Sequence, residues 1–153
     1  MTASIDIRDA FKTFGHGAQA IHALDKANLT IRPNEFVTFV GASGCGKSTL
    51  LRMIGGLESL SRGSIAVNGQ PIAGPGVDRA MVFQHYSLYP WLTVIQNIKF
   101  CRQLKAHTRD RTSADVEKAA GRADALIRLM GLSHVADAYP SQLSGGMQQR
   151  VAI

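Results

Sequence analysis

The residues with the clearest chemistry are Gly41, Ser43, Gly44, Cys45, Gly46, Lys47, Ser48 and Thr49, which run together with Ala42 as one stretch. Their order fits G-x-x-x-x-G-K-[ST], a spacing that wraps backbone around a polyphosphate. The three glycines let the chain close round such a ligand with no Cβ in the way. Successive N–H groups then converge as an anion nest. A helix beginning near Lys47 would aim the positive end of its dipole at the same point. Lys47 would lie as a point charge on the β- and γ-phosphates, and the Ser48 hydroxyl would ligate Mg²⁺.

The flanks must hold this loop in place. Glu35 to Val40 is apolar, β-branched and aromatic, and reads as a buried parallel strand entering the loop. Leu50, Leu51, Met53, Ile54 and Leu57 recur at helical spacing after it. Strand, glycine loop and helix argue against a chance turn beside one lysine. Ser4–Phe14 and Ala23–Ile31 read as two further strands. Between the second strand and the loop, Pro33-Asn34-Glu35 reads as a turn with Asn34 at positive φ. Ser61-Arg62-Gly63 reads as a turn, Ser64–Val67 as a short strand, and Asn68-Gly69 as a hairpin. Ala80–Phe83 reads as a strand ending at Gln84.

The second half changes character. Thr93–Leu104 and Thr112–Met130 carry helical patterns. Thr112 with Asp115 suits a capping box. The apolar stripe of the longer helix is Val116, Ala119, Ala120, Ala123, Leu126, Ile127 and Met130, and Gly131 suits its end. Leu143-Ser144-Gly145-Gly146-Met147-Gln148-Gln149-Arg150 opens another helix with a hydroxyl and two glycines. That suits a second anion site, or a plain N-cap at Ser144.

Composition narrows the classes. The chain has 153 residues, is 45% hydrophobic and carries a net charge of +6. No apolar run approaches the roughly 20 residues of a membrane span. The first residues lack the apolar centre of a signal peptide, so a cytoplasmic chain is expected. Cys45 and Cys101 are its two cysteines, and the five histidines are scattered without metal spacing. Lys99, Arg102, Lys105, Arg109 and Arg111 gather much of the charge, as a solvated face without the interleaved aromatics of a base-stacking surface.

Taken together, the phosphate loop, Gln84 closing an apolar strand, and Leu143-Ser144-Gly145-Gly146-Met147-Gln148-Gln149-Arg150 resemble the ATP-binding subunit of ABC transporters over the whole chain. Gly74-Pro75-Gly76 with Asp78-Arg79, and Pro90-Trp91-Leu92-Thr93, resemble its nitrate, sulfonate and taurine importer branch. The resemblance implies an α/β phosphate-loop core, about residues 1–87, with an N-terminal antiparallel β part. A helical subdomain, about residues 88–153, would be inserted in it. It implies ATP and Mg²⁺ as ligands. Phe14 would stack on adenine, or else simply end a core strand. Gln84 would reach Mg²⁺ and the attacking water, so that Lys47 and Gln84 are the catalytic candidates and Ser48 and Gln84 the metal ligands. Ser144, Gly145 and Gly146 would contact the γ-phosphate held by a second copy, in a head-to-tail dimer.

His85, Tyr86, Leu88 and Trp91 would border the groove for a transmembrane permease subunit, unless Trp91 is core. A solute-binding protein would act indirectly, at the inner face of the plasma membrane, and no nucleic acid is expected. The family pattern continues with an apolar strand ending in Asp, then a Glu base and a switch His, and none falls within these residues. Weak ATP binding and negligible turnover are therefore expected of residues 1–153 alone. Two alternatives remain: a non-enzymatic nucleotide-binding module, and a non-transport ABC protein acting on nucleic acid.

Overall fold

The structure, a computed structural model, describes residues 3–76, 78–100 and 113–153, with side chains from 121 onward in the last stretch. The chain divides into two units, Met1–Met81 and Val82–Ile153.

The first unit is built on β1 (Ile5–Phe14), which pairs on both sides in an antiparallel sheet of order β2-β1-β3-β4. Its neighbours are β2 (Ile21–Ile31), β3 (Arg62–Val67) and the short β4 (Gln70–Pro71). β2 starts two residues sooner than its composition suggests, because Ile21 pairs with Phe14 to close the hairpin. Asn68 and Gly69 take φ of 52° and 76° between β3 and β4, the left-handed pair that matches strand twist. Asn34 has φ 63°, as expected for the turn it occupies.

A β-bulge lies at the middle of β1. Arg8 pairs with Ser64 and Phe11 with Arg62, so Asp9 and Ala10 together stand opposite Gly63. Asp9 takes φ 42°, and Gly63 takes φ 92°. A Cβ on Gly63 would run into the Asp9 carbonyl. Arg62 and Gly63 therefore belong to β3 and not to the expected turn: the glycine answers a close backbone approach. The extra residue also changes which side chains face inward. Ile7 is buried before the bulge, and Ala10 and Lys12 after it.

Helix α1 (Lys47–Ile54) covers this inner face. Leu50 and Met53 pack with Ile7, Ala10 and Ile65 as one buried cluster.

Two expected strands are not formed. Glu35–Val40 and Ala80–Phe83 belong to no strand. Composition sets propensity, whereas a strand exists only with a ladder partner, and among the described residues neither run has one. Val37 and Phe39 are half-buried, while Phe36 and Val40 are 93% and 89% exposed.

The second unit contains α2 (Val94–Lys99), α3 (Ser113–Leu129) and α4 (Gly145–Ala152). Val94, Ile127, Leu132, Leu143 and Val151 form its buried cluster. Thr93 and Gln96 make a reciprocal capping box at the start of α2. The Asn97 amide donates to the carbonyls of Tyr89, Leu92 and Thr93 and fastens the loop before it. Ala123 and Ile127 of the expected α3 stripe are buried, but Leu126 is exposed, so the inward face is narrower than the pattern suggests. Gly131, at φ 66°, ends the helix as expected. Arg150 Nη1 donates to the Met130 carbonyl at 2.7 Å and ties α4 to that end. Lys99 pairs with Asp124 at 2.8 Å. Thr112, Cys101 and the basic residues Arg102, Lys105, Arg109 and Arg111 lie outside the described residues, as do the side chains of Asp115, Val116, Ala119 and Ala120.

Candidate functional site

Gly46 opens α1 with φ 88° and no side-chain cap. Its Cα lies so close to the Ala23 carbonyl that a Cβ would run into that oxygen. β2 thus presses on the loop and leaves room for glycine alone. The first bond of the helix runs from the Leu50 N–H to the Gly46 carbonyl, at 2.9 Å. The N–H groups of Lys47, Ser48 and Thr49 precede it and lack intrahelical partners. No acidic residue stands in the first turn.

The Lys47 side chain folds back over the loop. Its Nζ donates to the carbonyls of Gly41 and Ala42 at 2.8 and 2.7 Å, with Cys45 Sγ at 3.4 Å. Gly44 has φ 82°, and Ser43, Cys45 and Ser48 are exposed while Thr49 is half-buried. An ammonium, an uncapped helix start and a free hydroxyl therefore converge on one loop. These groups fit a polyphosphate. Among the described residues no group of His, Cys, Asp or Glu forms a metal cluster. The hydroxyl oxygen of Ser48 and the amide oxygen of Gln84 are hard donors of the kind Mg²⁺ accepts. Gln84 belongs to the second unit, where it is exposed at a bend.

A cavity of about 320 Å³ in the first unit lies past the other end of α1, lined by Met53, Gly56, Glu58, Ile65 and Ile72 among others, and includes none of the loop residues.

Phe14 ends β1 in the same unit and is 39% exposed, so it is a surface ring and not a core terminus. Lys12, two residues earlier, is 7% exposed. Its Nζ donates to Glu58 Oε1 at 2.6 Å and to the Ser59 carbonyl at 2.7 Å, and lies 4.8 Å from the centre of the Phe14 ring. The hydrogen bond from Lys12 holds the Glu58 carboxyl below its ordinary range, against the smaller opposing effect of burial. Sequence reasoning passed over Lys12. The available signal was its spacing of two from Phe14 on one strand.

In the second unit Ser144 caps α4, its Oγ accepting from the Met147 N–H at 3.4 Å. The hydroxyl can still donate its own proton, so the cap and the ligand reading are compatible. Ser144, Gly145 and Gly146 are all exposed. A Cβ on Gly145 would lie 3.3 Å from the Tyr86 hydroxyl, which places that ring beside the start of α4. Trp91 is 68% exposed and its ring lies tilted against that of Tyr89, centroids 5.5 Å apart, so it is not a core residue. Leu88 packs against the buried cluster, and His85 is exposed.

The ABC transporter family model matches residues 24–153, from β2 through α4. The chain belongs to the ABC transporter family. It is 45% identical over 149 residues to the nitrate import ATP-binding protein of Synechocystis, covering 97% of this chain and 53% of that protein. It is 41% identical over 153 residues to the aliphatic sulfonates import ATP-binding protein of Bacillus subtilis, covering 100% of this chain and 55% of that protein. The chain thus spans about half the length of these curated relatives. A dimeric ATP-binding cassette in a post-hydrolysis state, bound to ADP and Pi, superposes with a TM-score of 0.80 at 32% identity. That match covers 97% of this chain and 66% of the other. The fold is therefore that of ABC cassettes, an α/β domain with an antiparallel sheet and helices. No described helix is long and apolar enough to cross a membrane.

Proposed function

We propose that this ABC chain is the nucleotide-binding part of an importer motor that uses ATP to drive uptake of a small anion such as nitrate, a sulfonate or taurine. The observation that carries the reading is the Lys47 ammonium set over a glycine loop at the uncapped start of α1. Lys47 would exchange its bonds to the Gly41 and Ala42 carbonyls for the β- and γ-phosphates. The N–H groups of Gly41, Ser43, Gly44, Cys45, Gly46 and Thr49 would bind phosphate oxygens. Ser48 Oγ and the Gln84 amide oxygen would hold Mg²⁺, which when bound neutralises charge on the β- and γ-oxygens. Gln84 would orient the attacking water, and Phe14 would stack on adenine. Lys47 would stabilise charge growing on the transferred phosphoryl group.

Ser144, Gly145 and Gly146 would meet the γ-phosphate held by a second copy. The likeness to a dimeric cassette supports the pairing of two copies. Tyr86 and the exposed Trp91 would face a permease subunit at the inner face of the plasma membrane, with a solute-binding protein acting through it. Residues 1–87 would then form the ATP-binding core and 88–153 the helical subdomain.

Calorimetric titration of MgATP into the full-length protein tests the reading. Lys47→Ala should weaken binding by about 10- to 100-fold, the worth of a charge-assisted hydrogen bond. Unchanged affinity would sink it. Uptake of labelled nitrate, sulfonate and taurine by vesicles holding the permease then tests the solute class.

A further inference from the structure

The Lys12 side chain is unusual. A lysine is among the residues least often buried, and burial needs a partner. Lys12 has two, the Glu58 carboxylate and the Ser59 carbonyl. Its ammonium also lies over a ring face, that of Phe14 at 4.8 Å. Three features converge on this geometry. The bulge at Asp9 and Ala10 puts Lys12 on the inward face of β1. Phe14 follows two residues on, past a second irregularity in the pairing of β1 with β2 between Lys12 and Thr13, and its ring lies beside the ammonium. Glu58 and Ser59 come from the segment that follows α1, so the helix that starts at the phosphate loop also fixes the lysine.

We propose that Lys12 is a positioning residue for the nucleotide base: it holds Phe14 from behind, so that the ring offers its other face to adenine. The inference rests on the reading of Phe14 as the adenine platform. A cation over one face restrains a ring that is otherwise 39% exposed. It also occupies that face, so that a base would stack on the other. The Lys12–Glu58 pair then links the two halves of the nucleotide site, base platform and phosphate loop, within one unit.

The experiment compares MgATP with inorganic tripolyphosphate, which lacks a base, by calorimetry on the full-length protein. A loss of structure lowers both affinities, while a lost platform lowers the first alone. Phe14→Leu should reduce the preference for ATP by about 5- to 150-fold, the worth of one stacked base. Lys12→Met should reduce the same preference by about two- to fivefold, the worth of one cation–π contact. Lys12→Arg keeps a cation over the ring and should restore it.

If Phe14→Leu leaves the preference unchanged, the adenine reading fails. If Phe14→Leu lowers it and Lys12→Met does not, or lowers both affinities equally, the role given to Lys12 fails. Should Lys12→Met not fold, the double variant Lys12→Met with Glu58→Gln removes the orphaned charge and is held to the same comparison.

Discussion

Glu58 accepts from Lys12 at 2.6 Å, and that bond, with the charges of Lys12 and Arg52, lowers its carboxyl from the ordinary value of 4.5. A carboxylate depressed in the folded state adds stability above its unfolded value and loses it as pH falls through its folded one. Wild type should therefore exceed Glu58→Gln in urea midpoint at neutral pH. The gap should close as pH drops from 4.5 downward, and a gap independent of pH would contradict the assignment. Ser144 offers a second test at this scale. Ser144→Ala should cost about 1 kcal/mol through the lost cap. Ser144→Asp keeps an acceptor for the Met147 N–H, so melting should change little, yet its negative charge would repel a γ-phosphate. Restored melting with weakened ATP-dependent dimerisation, measured by light scattering, is the expected pair. The loop from Gly41 to Thr49 and the cap at Ser144 were legible because each depends on residue types at fixed local offsets. Lys12 was not: its burial depends on Glu58 and Ser59, 46 and 47 residues away.

Among the elements, β1 shows how far alternation can be read. Counting in twos from Ile7 would turn Asp9, Phe11 and Thr13 inward. The bulge opposite Gly63 instead brings Ala10 and Lys12 to that face. Asp9 at φ 42° carries no local signal strong enough to announce this, and Gly63 reads equally well as a turn. Gly63→Ala sets a Cβ against the Asp9 carbonyl at a positive φ. It should cost more than about 1 kcal/mol by denaturation. It should also lower the preference for ATP over tripolyphosphate, since the end of β1 must shift. Loss of stability with that preference intact would mean that the bulge does not aim Phe14. The hairpin at Asn68-Gly69 was legible from its dipeptide, whereas Glu35–Val40 and Ala80–Phe83 have strand composition without a ladder. Pairing is a property of two segments, and composition describes one.

Over the whole molecule, the two units carry separate buried clusters, one around Met53 and one around Leu132. Leu132→Ala should cost about 2–5 kcal/mol in the second unit. Hydrogen exchange should then speed up in α3 and α4 while the amides of β1 and β3 keep their protection. Equal loss in both would show that the two clusters melt as one. The fold class was readable because motif order along the chain is a long-range signal; the inner face of the sheet was not, because one bulge decides it. The run Phe36-Val37-Thr38-Phe39-Val40 carries a further consequence for anyone handling residues 1–153. It is uncharged, free of proline and rich in β-formers, and two of its apolar side chains are open to solvent. That is the composition of an aggregation-prone window. Arg32, Pro33 and Glu35 act as gatekeepers on one side only, the other leading straight into the glycine loop. Concentrated solutions of residues 1–153 should form β-rich aggregates, which Phe36→Lys should suppress, so the segment leading into the glycine loop sets the limit on how they can be stored.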